Sequence, residues 1–515
     1  MYKIKTILFS VILLACINSY SQPFAIPGAL GFAKNVRGAY AGSSTPTILT
    51  VDRLTDDMGN NGSNKGSFRW CLTQTFPRII LFEVSGYINL TSVIRVYTDY
   101  VSVYGQTAPS PGITVSGVDY VDIRCDYVVM QHLRFRPSYN GTAAIDAMSL
   151  YNADNIFIDH CSFSYAEDEC FGMSGSSDDM TSNVTVQNCI FSWPLNYNNG
   201  KGLLAGDNVI NASILRSAFI HCGTRSPYPN GANYTRWENV NTLCYNPAYW
   251  GQECGGGNHA EISIIGNVWK AGPRTSGQRQ VVRLRTVLNA GDSIYLYNNY
   301  SPKRVGSSEW NGVAVYEDTR DSTAYKVKKR FSWAETNYYS YKVLEDSLVA
   351  NAGARPWDRD LVDVTALEDM VKGTGSWITN QSEAYYPALA ENTTTLNVPA
   401  SPHADSGNGY TNLEMWVYKM TKKTTNTSIK NPASINTKEF KIYPNPTEGN
   451  ITIVLGRIME NSLITISGIN GQFVLEKQFE DQKIIQMDLI SLNPGIYFVR
   501  INTCSMTEVF KIIKE

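Results

Sequence analysis

Tyr127-Val-Val-Met-Gln-His-Leu-Arg-Phe135, Asn155-Ile-Phe-Ile-Asp-His-Cys-Ser-Phe163, Asn183-Val-Thr-Val-Gln-Asn-Cys-Ile-Phe191 and Asn211-Ala-Ser-Ile-Leu-Arg-Ser-Ala-Phe219 are four copies of one nine-residue pattern. The last three start 28 residues apart, at 155, 183 and 211. Looser copies follow at Glu261–Trp269 and Asp292–Tyr300. A period of this length marks a repeat architecture. The opening half of each unit alternates apolar or branched residues with polar ones, which is strand chemistry. One set of short strands per turn, stacked on the next, makes an all-β, right-handed parallel β-helix. Position nine then forms an aromatic ladder inside the coil: Phe135, Phe163, Phe191, Phe219, Trp269 and Tyr300. Position seven forms a second row of Cys161, Cys189, Ser217 and Asn267, with the two cysteines as stacked buried thiols.

The chain has 515 residues, enough for two or more units, and a formal charge of −2 with 17% charged residues. That balance excludes a nucleic-acid binder, which needs a basic face. The 39 glycines and 31 tyrosines suit a turn-rich β protein that contacts sugars. Residues 1–21 read as a signal peptide: Lys3 and Lys5, an apolar run from Ile7 to Ala15, then the small-x-small site Ser19-Tyr20-Ser21. Leu13-Leu-Ala-Cys16 also loosely resembles a lipoprotein box. No other run approaches the length of a membrane span. Nine cysteines remain beyond Cys16, without metal-site spacing; Cys244 and Cys254 flank a Tyr- and Gly-rich loop and are the better candidate for a disulfide.

Asp146 precedes the second repeat and Glu167-Asp-Glu169 follows its Phe163. Coils stack about 4.8 Å apart, so loop acids of neighbouring coils can converge. They are either a solvated acidic turn or a calcium site, since calcium takes several carboxylate oxygens in flexible geometry.

Several stretches in order resemble bacterial pectate lyases of polysaccharide lyase family 1. They are Gly66-Ser-Phe-Arg69, Phe82-Glu-Val-Ser-Gly86, Gly105-Gln-Thr-Ala-Pro109, Leu133-Arg-Phe-Arg-Pro137, Asp146-Ala-Met-Ser149 and Ile158-Asp-His-Cys-Ser162. Asp168-Glu169, Gly266-Asn-Val-Trp-Lys-Ala-Gly-Pro273, Gly353-Ala-Arg-Pro-Trp-Asp-Arg-Asp360 and Gly409-Tyr-Thr-Asn-Leu-Glu414 continue the series. The resemblance runs from about residue 30 to 420, within a domain spanning 22–422. It implies a calcium-dependent lyase acting on polygalacturonate by β-elimination, with Asp146, Asp168 and Glu169 on the ion. Ala144 and Gly172 stand where family members carry further acids. Lys201, in Asn199-Gly-Lys-Gly-Leu-Leu204, falls on a substrate-binding and catalytic lysine. Arg225, in Arg225-Ser-Pro227, falls on the arginine that acts as base. An arginine can serve so only where neighbouring cations favour its neutral form, because a free guanidinium stays protonated far above neutral pH. The family usually has a second arginine three places on; here that place is Tyr228, with Arg236 as the candidate to supply the missing cation and bind substrate.

Residues 423–438 read as a polar linker. Residues 439–515, opening at Phe440-Lys-Ile-Tyr-Pro-Asn-Pro-Thr447 and ending near Lys511-Ile-Ile-Lys514, resemble the small β-sandwich sorting domain of type IX secretion substrates. A small carbohydrate-binding sandwich is the other reading. The implied partners are a pectic polysaccharide and the type IX secretion machinery, and the implied state is a secreted or cell-surface monomer. Two other functions are open. A β-helical polygalacturonase would need paired aspartates, and Asp178-Asp179, in a Gly/Ser-rich loop, is the one such pair. A non-catalytic polysaccharide binder would use the tyrosines between Tyr228 and Tyr249 as its platform.

Overall fold

The computed structural model describes residues 24–57, 64–138, 145–195, 200–230, 235–421 and 440–515, apart from 249, 256–258, 277–281, 286–287, 289–290, 303, 305, 307, 316–321, 469–472 and 504–506. The expected signal peptide and linker lie outside these residues. From Thr47 to Tyr297 the chain winds as a right-handed parallel β-helix. A ten-stranded parallel sheet takes one strand from each coil, starting at Thr47–Val51 and ending at Ser293–Tyr297. An eight-stranded sheet runs from Gly86–Leu90 to Val268–Lys270. A six-stranded sheet runs from Ile94–Val96 to Tyr228–Pro229.

Position six of the repeat makes the corner between the first two sheets. His132, His160, Asn188, Arg216, Asn241, Gly266 and Asn298 all have φ between 49° and 66°. Asparagine and glycine suit that left-handed turn; His132, His160 and Arg216 adopt it at a cost of about 1 kcal/mol each. The corner throws position nine inward. Phe135, Phe163, Phe191 and Phe219 are buried and stack at centroid spacings of 5.5, 5.2 and 4.6 Å. Each contributes about 1.5–3 kcal/mol by burial.

The expected ladder needs two corrections. Cys244 pairs with Phe219 on one side and Trp269 on the other, so it fills a coil that the repeat pattern skipped. Tyr300 is not in the ladder. Ser293, not Asp292, aligns with Glu261, which sets position nine at buried Ser301 and leaves Tyr300 exposed, stacked on Tyr341. The position-seven row forms as expected and gains Thr242 and Asn299. Cys161 N–H points at Cys189 Sγ (3.4 Å), Cys189 N–H at Ser217 Oγ (3.0 Å) and Thr242 N–H at Asn267 Oδ1 (2.7 Å). Cys244 and Cys254 are both buried free thiols, so the expected disulfide does not form. Each lies on a different sheet, Cys244 in the aromatic row and Cys254 in the strand Gln252–Cys254.

Several quoted motifs hold an outer layer onto the coils. Arg136 reaches Asp363 Oδ1 at 2.8 Å and Asp360 Oδ1 at 3.1 Å, all three fully buried, and Asp360 caps the helix Leu361–Lys372. Arg355 donates to Ala108 O (3.0 Å) and pairs with Asp358 (2.7 Å). Arg37 grips Glu414 with two contacts of 2.7 Å, tying the N-terminal segment to the capping box of helix Asn412–Met420.

Residues 440–515 form an antiparallel sheet around two long strands, Asn450–Gly468 and Phe473–Asp488. A single core takes Ile451, Ile453 and Leu455 from one end of the first strand and Ile464 and Ile466 from the other. A straight strand would set Ile453 and Ile464 about 36 Å apart, so the sheet folds over itself as a sandwich does. Its core is drawn from residues 442–512 alone.

Glu238 is the outward carboxylate of the ten-stranded sheet that the outer layer buries. It accepts from Ser213 Oγ (2.6 Å) and Glu335 N–H (2.7 Å), and burial pushes its pKa up to about 7. Between the ordinary value of 4.5 and 7 the folded chain holds a proton the unfolded chain has lost. Stability therefore falls as pH rises through that window, and the loss is complete above it. Glu238→Gln is expected to raise the thermal unfolding midpoint by several degrees at pH 8, with the gain vanishing as pH falls to 4.5. Equal midpoints at high pH would mean that Glu238 ionises without penalty.

Candidate active site

The six-stranded sheet brings the candidate residues together. Its strands Met148–Tyr151, Glu169–Ser174, Lys201–Ala205 and Tyr228–Pro229 lie side by side in that order. Register aligns Glu169 with Lys201, Gly172 with Leu204, and Leu204 with Tyr228. Thr224 bridges Lys201, which sets Arg225 next to it at a left-handed φ of 55°.

Asp146, Asp168 and Glu169 converge there, each offering an oxygen within 4.8 Å of the others. Asp146 Oδ1 accepts the Glu169 N–H at 3.0 Å. The N–H groups of Glu167 and Asp168 both bond Ile145 O at 3.1 Å, making the tight turn that brings the acids back to Asp146. Lys201 pairs with Asp168 and lies 4.0 Å from Glu169; Arg225 pairs with Glu169. Burial first, and the Asp168 carboxylate second, push Asp146 up to about 8. Negative charge there needs further cationic compensation. An all-oxygen set of three carboxylates is the donor chemistry of a hard divalent cation such as calcium.

Gly172 is part of this geometry. A Cβ built at Gly172 would run into the Asp146 carboxylate, so no side chain, and no further acid, fits at 172 while Asp146 holds its place. The other noted gap, Ala144, lies outside the described residues.

Five of the seven sequence-predicted residues, Asp146, Asp168, Glu169, Lys201 and Arg225, come together. Tyr228 adjoins them but is buried, so its ring is not a sugar platform; Tyr245 is buried as well. Arg236 does not join the cluster. It starts a strand of the ten-stranded sheet, whereas Tyr228–Pro229 belongs to the six-stranded one, and it pairs with Glu261 at 3.5 Å. Asp178 and Asp179 sit in an exposed turn with Ser176 and Ser177.

Sequence reasoning missed two features. Asp122, one coil before Asp146, is buried and held by Arg124 (2.7 Å) and Arg95 (3.5 Å), so its charge is already met. Its signal was the alternation of Asp122 and Arg124 in a short strand. The second is Glu253 with Arg283 and Arg285, which continue the site's face beyond Tyr228. A second cluster, His132, Asp159 and His160, is saturated instead. Asp159 accepts from Gln131, His160, Gln187 and Asn188 at 2.7–3.0 Å. Burial opposes its ionisation, yet His160 and the other donors hold it well below the usual carboxylate range.

Comparison with known proteins gives two matches along the chain. Residues 441–515 match the family described as a secretion system C-terminal sorting domain. The chain is 30% identical over 428 residues to probable pectate lyase C of Aspergillus flavus, covering 78% of this chain and 95% of that one. It is 29% identical over 428 residues to probable pectate lyase C of Aspergillus oryzae, with the same coverage. Among solved structures, the major cedar pollen allergen is similar at a TM-score of 0.43 and 15% identity, covering 63% of this chain and 92% of that one. A pectate lyase from Bacillus sp. N165, solved with trigalacturonate, is similar at 0.39 and 13%, covering 64% and 99%.

Gly172→Ala is expected to displace the Asp146 carboxylate and lower divalent-cation affinity about tenfold, roughly 1.4 kcal/mol, while the chain still folds. Isothermal titration with calcium and circular dichroism check the two halves. Unchanged affinity would remove Asp146 from the cation site.

Proposed function

We propose, because this chain belongs to the pectate lyase family, that it is a secreted, calcium-dependent lyase that cleaves polygalacturonate by β-elimination. The observation that carries this reading is the convergence of Asp146, Asp168 and Glu169 with Lys201 and Arg225 on adjoining coils. Asp146, Asp168 and Glu169 are the residues that would hold the ion. A divalent cation held there would supply Lewis-acid chemistry, withdrawing charge from the uronate carboxylate beside C5.

The chain's own residues do the rest. Lys201 lies against Asp168 and its ammonium adds a second positive contact to the sugar carboxylate. Arg225 turns from Glu169 to C5 and takes the proton. The electron pair left on C5 forms the C4–C5 double bond, the C4–O bond breaks, and the leaving oxygen takes a proton from water. The left-handed backbone at Arg225 fixes where the side chain leaves the coil.

Export is the second part. Residues 1–21 would direct the chain across the inner membrane, and the sorting domain at 441–515 would pass it to the type IX machinery.

With polygalacturonate, wild type should release unsaturated product, seen as new ultraviolet absorbance, and chelation should abolish it. Arg225→Lys should lower turnover about a hundredfold or more, the scale of a general base, with oligogalacturonate binding retained. A variant keeping half the wild-type rate would exclude Arg225 as base. New reducing ends without absorbance would favour hydrolysis, and binding without either product would favour a non-catalytic module.

A chain truncated within 423–438 should keep full lyase activity in vitro, because the sandwich has its own core. In a host with the type IX system, it should stay in the periplasm, as fractionation would show. Surface delivery of the truncated chain would contradict the sorting role.

A further inference from the structure

At Gly105–Thr107 the chain turns from the ten-stranded sheet towards the eight-stranded one. The six-stranded sheet is the third side of the coil, so this corner lies across the coil from the acid cluster. Outside the corner the outer layer leaves a cavity of about 610 Å³, a size that suits a small ligand. Its walls are fixed. Arg355 donates to Gln106 O (3.4 Å) and Ala108 O (3.0 Å), which ties residues 355–358 to the turn. Thr394 N–H donates to Glu83 O and Leu396 N–H to Glu83 Oε1, both at 2.8 Å, which seats residues 394–397 beside the strand Arg78–Phe82. Trp416 enters from the helix Asn412–Met420, whose Leu413 and Val417 are buried.

The lining mixes rings with uncommitted polar groups. Trp357 and Trp416 are half-buried, and Trp357 is held edge-on to His132 at 4.9 Å between ring centres. Neither indole N–H donates to a described residue, and the exposed side chains of Thr394, Thr395 and Asn397 bond none either. Gln106 adds a buried acceptor. The Asp159 carboxylate accepts from Gln131 Nε2 (2.9 Å), so Gln131 turns its Oε1 to Gln106 Nε2 (3.1 Å). Gln106 Oε1 is then left without a donor among the described residues, although Gln106 is 4% exposed. The charged residues of the lining, Arg355 and Asp358, answer each other at 2.7 Å. Asp358 also accepts from Ser110 Oγ at 2.9 Å. Neither a uronate nor a cation finds an unanswered charge there.

We propose that this cavity binds an uncharged sugar residue of a polysaccharide, as a second carbohydrate site separate from the acid cluster. A sugar ring offers an apolar C–H face to an indole, and its hydroxyls both donate and accept. The side chains of Thr394, Thr395 and Asn397 do the same, and the two indole N–H groups donate. Gln106 Oε1 is the acceptor that a deeply seated hydroxyl satisfies, directly or through one water. Because the walls are set by contacts made within the chain, binding orders little that is not already ordered. The inference does not depend on the lyase reading.

The test is calorimetry on the full chain with cellohexaose, xylohexaose and galactotetraose, and with trigalacturonate as the charged comparison. At least one neutral sugar should bind with a Kd of about 1 mM or tighter. Chelation with EDTA should leave that binding unchanged, and trigalacturonate should not displace it. Trp416→Ala should weaken it about tenfold, the scale of ring stacking on an aromatic side chain, and Trp416→Phe, which keeps a ring, should lose less. Asn397→Ala should weaken it about threefold, the scale of one hydrogen bond. If circular dichroism shows that Trp416→Ala does not fold, the exposed Asn397 decides. Failure of all three neutral sugars to bind would overturn the proposal, as would binding that EDTA removes or trigalacturonate displaces. Unchanged affinity in the folded variants, or an uncharged Pro-Thr peptide bound where the sugars are not, would overturn it too. Absence of unsaturated product from wild type would sink the lyase reading and leave this binding as it is.

Discussion

The parallel backbone ladder between coils is the constraint on which the rest of this protein depends. Because each coil repeats the register of the one before, a side chain's neighbours are residues about 28 positions away. Phe163 rests on Phe135 and Phe191 for this reason, and Glu169 stands beside Lys201 for the same one. A slip of one residue would turn the phenylalanines outward and the acids inward. The left-handed corners at position six hold the register, since each fixes where a strand ends and the next begins. The grouping of Asp146, Asp168, Glu169, Lys201 and Arg225 is thus a by-product of the same stacking that buries the core.

Where the period was constant, the sequence was readable. The rows of phenylalanines and of small polar residues followed from spacing alone. Reading failed where the period changed. Cys244 follows Phe219 by 25 residues and precedes Trp269 by 25, and its small thiol gives no aromatic signal for a coil that the spacing skipped. At Tyr300 an offset of one residue exchanged an exposed ring for buried Ser301. The acid cluster was legible because its members straddle one turn and the start of one strand. The Glu253–Arg285 pair was not, because its members stand 32 residues apart on different coils. The cysteine pairing failed for a related reason: flanking one loop does not put two residues on one sheet.

The motifs that carry the family resemblance divide by what they do. Arg134, Arg136, Asp360 and Glu414 fasten the outer layer through ion pairs buried away from water, and Arg355 does so by donating to Ala108 O. Removing one partner of such a pair leaves a buried charge and costs about 3–5 kcal/mol. The strength of those motifs in the sequence therefore reports the fold more than the reaction. The candidate site draws on fewer residues, set in or beside the six-stranded sheet.

Gly172 makes the number of acids in the cluster hard to change by small steps. An aspartate at 172 would bring another carboxylate to the cluster, yet its first carbon would meet the Asp146 carboxylate. The two positions are therefore coupled: an acid enters at 172 only with a shift of the Asp146 side chain, and the effect of a change at one is set by the residue at the other.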